Sequence, residues 1–218
     1  MERGDALLDV HAPHGRIEGV KDFFLHLFTI TIGLLIALGL ENLAERVHKN
    51  EIRREAETDL RREITDNQKQ LTEWHVVMHD EEKSLRGALI FLMAKEQGKE
   101  VDPGPVNLGF TIKLLSDASW RTASATGALS LMDYEQVQSY ANAYEVQEQV
   151  MLLERETLED FMTLQSHVIA GFDPRTVTPQ QALAVEPEVR RALAHLMSTD
   201  QVSQSLDKDY ADLLTGKH

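Results

Sequence analysis

Residues 23 to 40 read FFLHLFTITIGLLIALGL, a run with no charged side chain, and the charges resume at once with Glu41. At ~1.5 Å rise per residue these eighteen positions cover ~27 Å, close to the ~30 Å hydrocarbon core of a bilayer. Twelve of them are Leu, Ile or Phe. At ~0.3 to 0.6 kcal/mol each, insertion gains roughly 4 to 7 kcal/mol, less a penalty for His26. A transmembrane helix fits this run better than a buried core helix does. A cleaved signal would need a basic leader, whereas Met1 to Asp22 carries five acids against Arg3, Arg16 and Lys21. Ala37-Leu38-Gly39 does resemble a cleavage site. Two basic residues precede the run closely (Arg16, Lys21) and four follow it (Arg46, Lys49, Arg53, Arg54). The positive-inside rule would put the C-terminal portion in the cytoplasm. The downstream segment is charge-balanced and long domains cross regardless, so the side stays undetermined.

Outside this run the chain is acidic, with 22 basic against 36 acidic residues and a net charge of -14. That charge opposes a phosphate backbone, so no nucleic-acid partner is expected. The one basic cluster, Arg53, Arg54, Arg61 and Arg62, is interleaved with Glu51, Glu55, Glu57, Asp59 and Glu63, as on a self-neutralised helix surface. With no cysteine, thiolate metal sites, disulfides and a cysteine nucleophile are excluded. Few glycines, few prolines and 6% aromatics describe a helical protein.

No proline occurs between Pro13 and Pro103. From Leu60 the apolar spacing alternates threes and fours: Leu60, Ile64, Leu71, Trp74, Met78, Leu85, Ala88 and Leu92, with Asn67 and Glu81 as polar interruptions. The membrane helix is expected to continue into this seam, with a kink or break near Asn50, Asn67 or Gly87. Gly98 to Asn107 reads as a loop. Ser116 or Asp117 would cap a helix carrying Trp120 and Ala123 that stops at Gly127. Asp133-x-x-Gln136 resembles a capping box opening a helix to about Ala170, with Tyr134, Val137, Ala141, Tyr144 and Met151 on one face. Val146, Val150, Leu153, Phe161, Leu164 and Val168 form another. Beyond a loop at 171–179, short helical pieces are expected at Pro179–Val185 and Pro187–Met197. A last helix would be capped by Thr199 and Asp200 and end near Leu214. The fold class is all-α: one transmembrane helix continuing into an antiparallel helical bundle. The divisions are a tail (1–22), a span (23–40), a juxtamembrane long helix (41–97), a loop (98–107) and the rest of the bundle (108–218).

Candidate sites are sparse. Thr29, Gly33 and Ala37 recur every fourth residue, and small residues let membrane helices approach closely, so this face could dock another helix. His75 and His79, with Glu82 beyond, could share a helical face and hold a metal ion. Val76 stands where a helical zinc-hydrolase motif needs its glutamate, and a solvated histidine pair fits better. Glu45-x-x-His48 is half a di-iron motif without its counterpart. His11 and His14 make a histidine-rich tail. His26, one turn inside the apolar run, is a weak candidate axial ligand. Trp120, Tyr134, Tyr140 and Tyr144, near Thr122, Ser124 and Thr126, could form a protein interface, a pocket or simply core. No nucleophile elbow, phosphate-cradling loop or catalytic triad signature is present, and no cofactor is predicted.

The stretch from Lys21-Asp22-Phe23 through Ile30-Thr31-Ile32-Gly33-Leu34-Leu35-Ile36-Ala37-Leu38-Gly39-Leu40-Glu41 resembles the anchor of uncharacterised bacterial single-span membrane proteins. Glu45 to Glu63, His11-Ala-Pro-His14 and Trp120-x-x-Ala123-x-x-x-Gly127 also resemble members of that group. The resemblance implies a membrane-anchored helical domain in the bacterial inner membrane, and it carries no activity and no site residues. The expected function is a non-enzymatic accessory or scaffold subunit of a membrane complex, in contact with the bilayer and with other subunits or a second copy. The alternatives are a membrane-tethered sensor or ligand-binding domain, with a pocket near Trp120 to Tyr144, and a metal-binding protein using His75 and His79. A 22-residue tail is short for the output domain a sensor needs.

Overall fold

The computed structural model describes residues 19–104 and 107–216. The chain is all-helical among these residues, with four α-helices: α1 (Val20–Glu96), α2 (Ala118–Ala125), α3 (Tyr134–Ile169) and α4 (Pro179–Thr215). It divides into two units, 1–50 and 51–218.

In the first unit every described residue is exposed, including Phe24, Leu34, Ile36 and Leu40. Its apolar window is the one stretch among the described residues long and apolar enough to cross a membrane, and none of it is buried. The hydroxyls of Thr29 and Thr31 donate to Leu25 O (2.9 Å) and Leu27 O (2.8 Å) one turn back. That satisfies them without water, as a segment in lipid requires.

The second unit is a bundle of three long helices. The seam anticipated on α1 is its core stripe: Leu60, Ile64, Leu71, Trp74, Met78, Leu85 and Leu92 are all buried. Side-chain bonds fix the directions. Tyr144 and Gln147 of α3 meet Glu63 and Asn67 of α1 in the same order along both helices, so α3 runs parallel to α1. Arg61 Nη1 reaches Leu214 O (3.2 Å) and His75 reaches Asp200, so α4 runs antiparallel to α1. It is antiparallel to α3 as well, through Thr157–Thr199 and Asp160–His195. The return from the end of α1 to the start of α3 is an extended strap, 107–117, followed by α2 and a 3-10 turn at Ala128–Leu131.

Three expectations need correction. The helical assignment of α1 runs through Asn50, Asn67 and Gly87 without a break. Asn67 does not interrupt the helix because its side chain is bonded outward to the strap. A lone Gly87 costs only about 1 kcal/mol. The two pieces and the last helix after residue 179 are one helix, α4, with Pro187 inside it. Its apolar stripe (Ala182, Val185, Val189, Ala192, Leu196) packs continuously across that proline. Burial therefore overrides a local penalty of about 3 kcal/mol. Thr199 and Asp200 accordingly are not caps but mid-helix side chains bonded to Thr157 and His75.

Helix ends follow local chemistry, although the box expected at Asp133-x-x-Gln136 is half formed, since Gln136 returns no side-chain bond. Asp133 caps α3 by accepting from Glu135 N–H (3.0 Å) and Gln136 N–H (3.4 Å). Thr178 and Gln181 form a reciprocal capping box opening α4. Gly127 takes a left-handed backbone (φ 76°) after α2, a conformation that glycine adopts without steric penalty.

Candidate functional site

The strap has no strand beside it and, among the described residues, no backbone–backbone hydrogen bond between 108 and 115. Its inward amides must therefore find side chains. Helices α1 and α3 supply them from positions that interrupt their own apolar stripes. Thr111 N–H donates to Glu81 Oε1 (2.9 Å) and Lys113 N–H to Glu154 Oε1 (2.7 Å). Asn67 pairs with both backbone groups of Ser116: Oδ1 accepts its N–H (2.9 Å) and Nδ2 donates to its carbonyl (2.7 Å). Gln147 Nε2 donates to the same carbonyl (3.1 Å), and Gln147 in turn accepts from Tyr210. At the ends, Ser84 Oγ donates to Asn107 O (2.9 Å) and Gln165 Nε2 to Leu108 O (2.8 Å). Buried Leu115 and the ring of Phe110, 4.9 Å from that of Phe161, add apolar contact.

Glu63 closes the near end of this row. Its Oε2 accepts from Ser116 Oγ (2.7 Å) and Ser119 N–H (2.9 Å), and its Oε1 accepts from Tyr144 Oη (2.7 Å). Burial pushes its carboxyl up, but the donors from Ser119, Ser116, Tyr144 and Trp120 outweigh this and hold it below the usual range. The carboxylate thus sits at the N-terminus of α2, where first-turn amides favour an anion. The expected caps do less: Asp117 makes no side-chain cap bond, and Ser116 Oγ accepts only from Ala118 N–H (3.3 Å). Glu81 and Glu154 each have one strap residue as donor, and burial pushes both carboxyls up to about 7. Glu81 Oε2 is buried with no hydrogen-bond partner. Burial and the adjoining Glu63 carboxylate raise the Tyr144 hydroxyl far above its ordinary value, so it stays a donor.

A second polar layer ties α4 to its neighbours. Asp160 accepts from Arg191 Nε (2.7 Å) and lies 2.7 Å from His195 Nδ1. His167 pairs with Glu188 (2.6 Å) and His75 with Asp200 (2.9 Å).

The anticipated candidates fall out as follows. Thr29, Gly33 and Ala37 are exposed, and nothing lies within 4 Å of a Cβ placed at Gly33. His26 Nδ1 lies 3.1 Å from Asp22 O. His75 is turned to Asp200, His79 is exposed, and Glu82 pairs with Arg86 (2.6 Å). The structure does not bring those three together, and no group of three His, Asp or Glu poised for a metal ion is found among the described residues. Glu45 pairs with Lys49 (2.7 Å). The aromatic interface candidates split, because α3 turns Tyr140 and Tyr144 into the core while Tyr134, at its first residue, is 77% exposed. Trp120 is half-buried, its ring stacked 5.2 Å from that of Tyr144. His11 and His14 lie outside the described residues.

Glu63, Gln147 and Glu154 were missed by reading the sequence. Gln147 and Glu154 were detectable, because they occupy the stripe Tyr140, Ala143, Gln147, Val150, Glu154, Thr157, Phe161 and Leu164 at core spacing. Two cavities adjoin the strap. An open groove of about 580 Å³ lies beside Trp120, Tyr144 and Met151, with Asp117, Arg121, Glu145 and Glu148 on its walls. An apolar cavity of about 190 Å³ is lined by Phe91, Leu92, Leu108, Leu164, Phe172 and Val189. In comparisons with known proteins, the chain matches no family model, no curated protein and no solved structure.

Proposed function

We propose that this chain is a non-enzymatic, single-span accessory or scaffold subunit of a bacterial inner-membrane protein complex. Residues 23–40 anchor it, and the Thr29, Gly33 and Ala37 face docks against a neighbouring membrane helix. One contrast carries this reading. The apolar window is wholly exposed, whereas Glu63, Asn67, Glu81, Gln147 and Glu154 in the bundle are turned onto the chain's own strap. Polar groups engaged this way define a rigid shape rather than a reactive centre.

Extraction in mild detergent at native abundance, followed by mass spectrometry of co-purifying polypeptides, tests the proposal. Other membrane subunits are expected in stoichiometric amounts. Recovery of this chain with no other polypeptide would overturn it. The groove beside Trp120 and Tyr144 favours a second reading, a tethered ligand-binding domain. That reading predicts a small molecule retained by the purified protein and lost on Trp120→Ala.

A further inference from the structure

The docking face does not stop at the membrane boundary. Starting from Thr29 and Gly33, spacings of three and four lead to Ile36, Leu40, Leu43 and Val47, so the face leaves the small-residue row at Ile36 and continues as a heptad seam. Glu41 marks the end of the apolar run, which leaves Leu43 and Val47 beyond it, 59% and 60% exposed on α1. Continued further, the spacing lands on Asn50, Arg54 and Glu57, none of them buried, and meets the bundle's core stripe only at Ile64, so Leu43 and Val47 lie outside the part of α1 that the bundle covers. Two large apolar residues on a preformed helix outside the bilayer call for a cover.

We propose that a second copy of this chain packs in parallel along Ile36, Leu40, Leu43 and Val47, pairing Arg46 of each copy with Glu51 of the other. The inference rests on reading 23–40 as a docking anchor. Two copies inserted with the same topology can only run parallel. In a parallel two-helix seam the residue before one seam position faces, on the other helix, the residue five further along. With Val47 and Asn50 as successive seam positions, those residues are Arg46 and Glu51, of opposite charge. Both are exposed, and among the described residues neither joins an intrachain ion pair, whereas Glu45–Lys49 and Arg53–Glu57 do. So short a seam would not hold free peptides together, but here the helix is already formed and the anchors confine both copies to one plane.

The chain has no cysteine, so single cysteines report on position. In the full-length protein in its native membrane, Leu43→Cys and Val47→Cys should oxidise to a disulfide-linked dimer. Glu45→Cys and Lys49→Cys, on the opposite side of the helix, should give at least ~5-fold less. Adding Arg46→Glu or Glu51→Arg to Val47→Cys should lower the dimer yield, and adding both should restore it. Equal yields around the helix would overturn the proposal. Face-specific links from 43 and 47 only to a different, heavier polypeptide would also overturn it while leaving the docking anchor intact. The absence of any face-specific adduct would remove both.

Discussion

Glu63, Glu81 and Glu154 are one side chain in two electrostatic situations, and the number of donors decides between them. Glu63 collects donors from four residues and stays ionised at 8% exposure. Glu81 and Glu154, served by one strap residue each, are pushed up to about 7. Below pH 4.5 both carry a proton whether the chain is folded or not. Between 4.5 and 7 the unfolded chain loses its protons first, so stability falls as pH rises, by roughly 3 kcal/mol per group. Above 7 the loss is complete. Glu81→Gln or Glu154→Gln, which keeps the acceptor for the strap amide, should therefore leave stability unchanged at pH 4.5. At pH 8 it should raise stability by roughly 3 kcal/mol, read from denaturant midpoints at both pH values. Asn67 offers the converse test. Asn67→Leu completes the apolar heptad yet strands the N–H of Ser116, whose C=O keeps only Gln147, so it should destabilise by about 1–3 kcal/mol. A more stable Asn67→Leu variant would mean that the strap is not held this way.

Among the elements, the long helices were legible because each carries a 3.6-residue apolar period and several carry caps. The strap was not. Leu108 to Asp117 has no repeating period, and its extended form depends on hydrogen-bond partners about 30 to 50 residues away on α1 and about 30 to 40 away on α3. Helix ends at Asp133, Thr178 and Gly216 were readable within a residue or two, since capping is local chemistry. Continuity was harder to read, because Gly87 and Pro187 look like stops until their surroundings are known. Both are exposed positions inside intact helices, and nothing lies within 4 Å of a Cβ placed at Gly87. Gly87→Ala should stabilise by about 0.5–1 kcal/mol. Pro187→Ala, which restores a backbone N–H, should stabilise by about 1–3 kcal/mol. Thermal unfolding of the two variants reads both effects. A loss of stability at either site would point to a kink or turn that the helix needs.

At the scale of the molecule, the second unit is a bundle in which one leg is an extended strap in place of a helix. Its polar interruptions follow from that substitution. A helix bonds its own backbone, but a lone extended segment cannot, so α1 and α3 must lend it carboxylates and amides. The same accounting separates the readable from the unreadable parts of the site. Asn67 and Glu81 stood out as breaks in a regular stripe, while their purpose depended on a segment whose shape the local sequence does not encode. Amide hydrogen exchange of the full-length protein, resolved residue by residue along the strap, tests this account most directly. The amides of Thr111, Lys113, Ser116 and Ser119 should exchange at least ~100-fold more slowly than those of Ile112 and Leu114, which have no such partner. Uniformly fast exchange from 107 to 119 would contradict it.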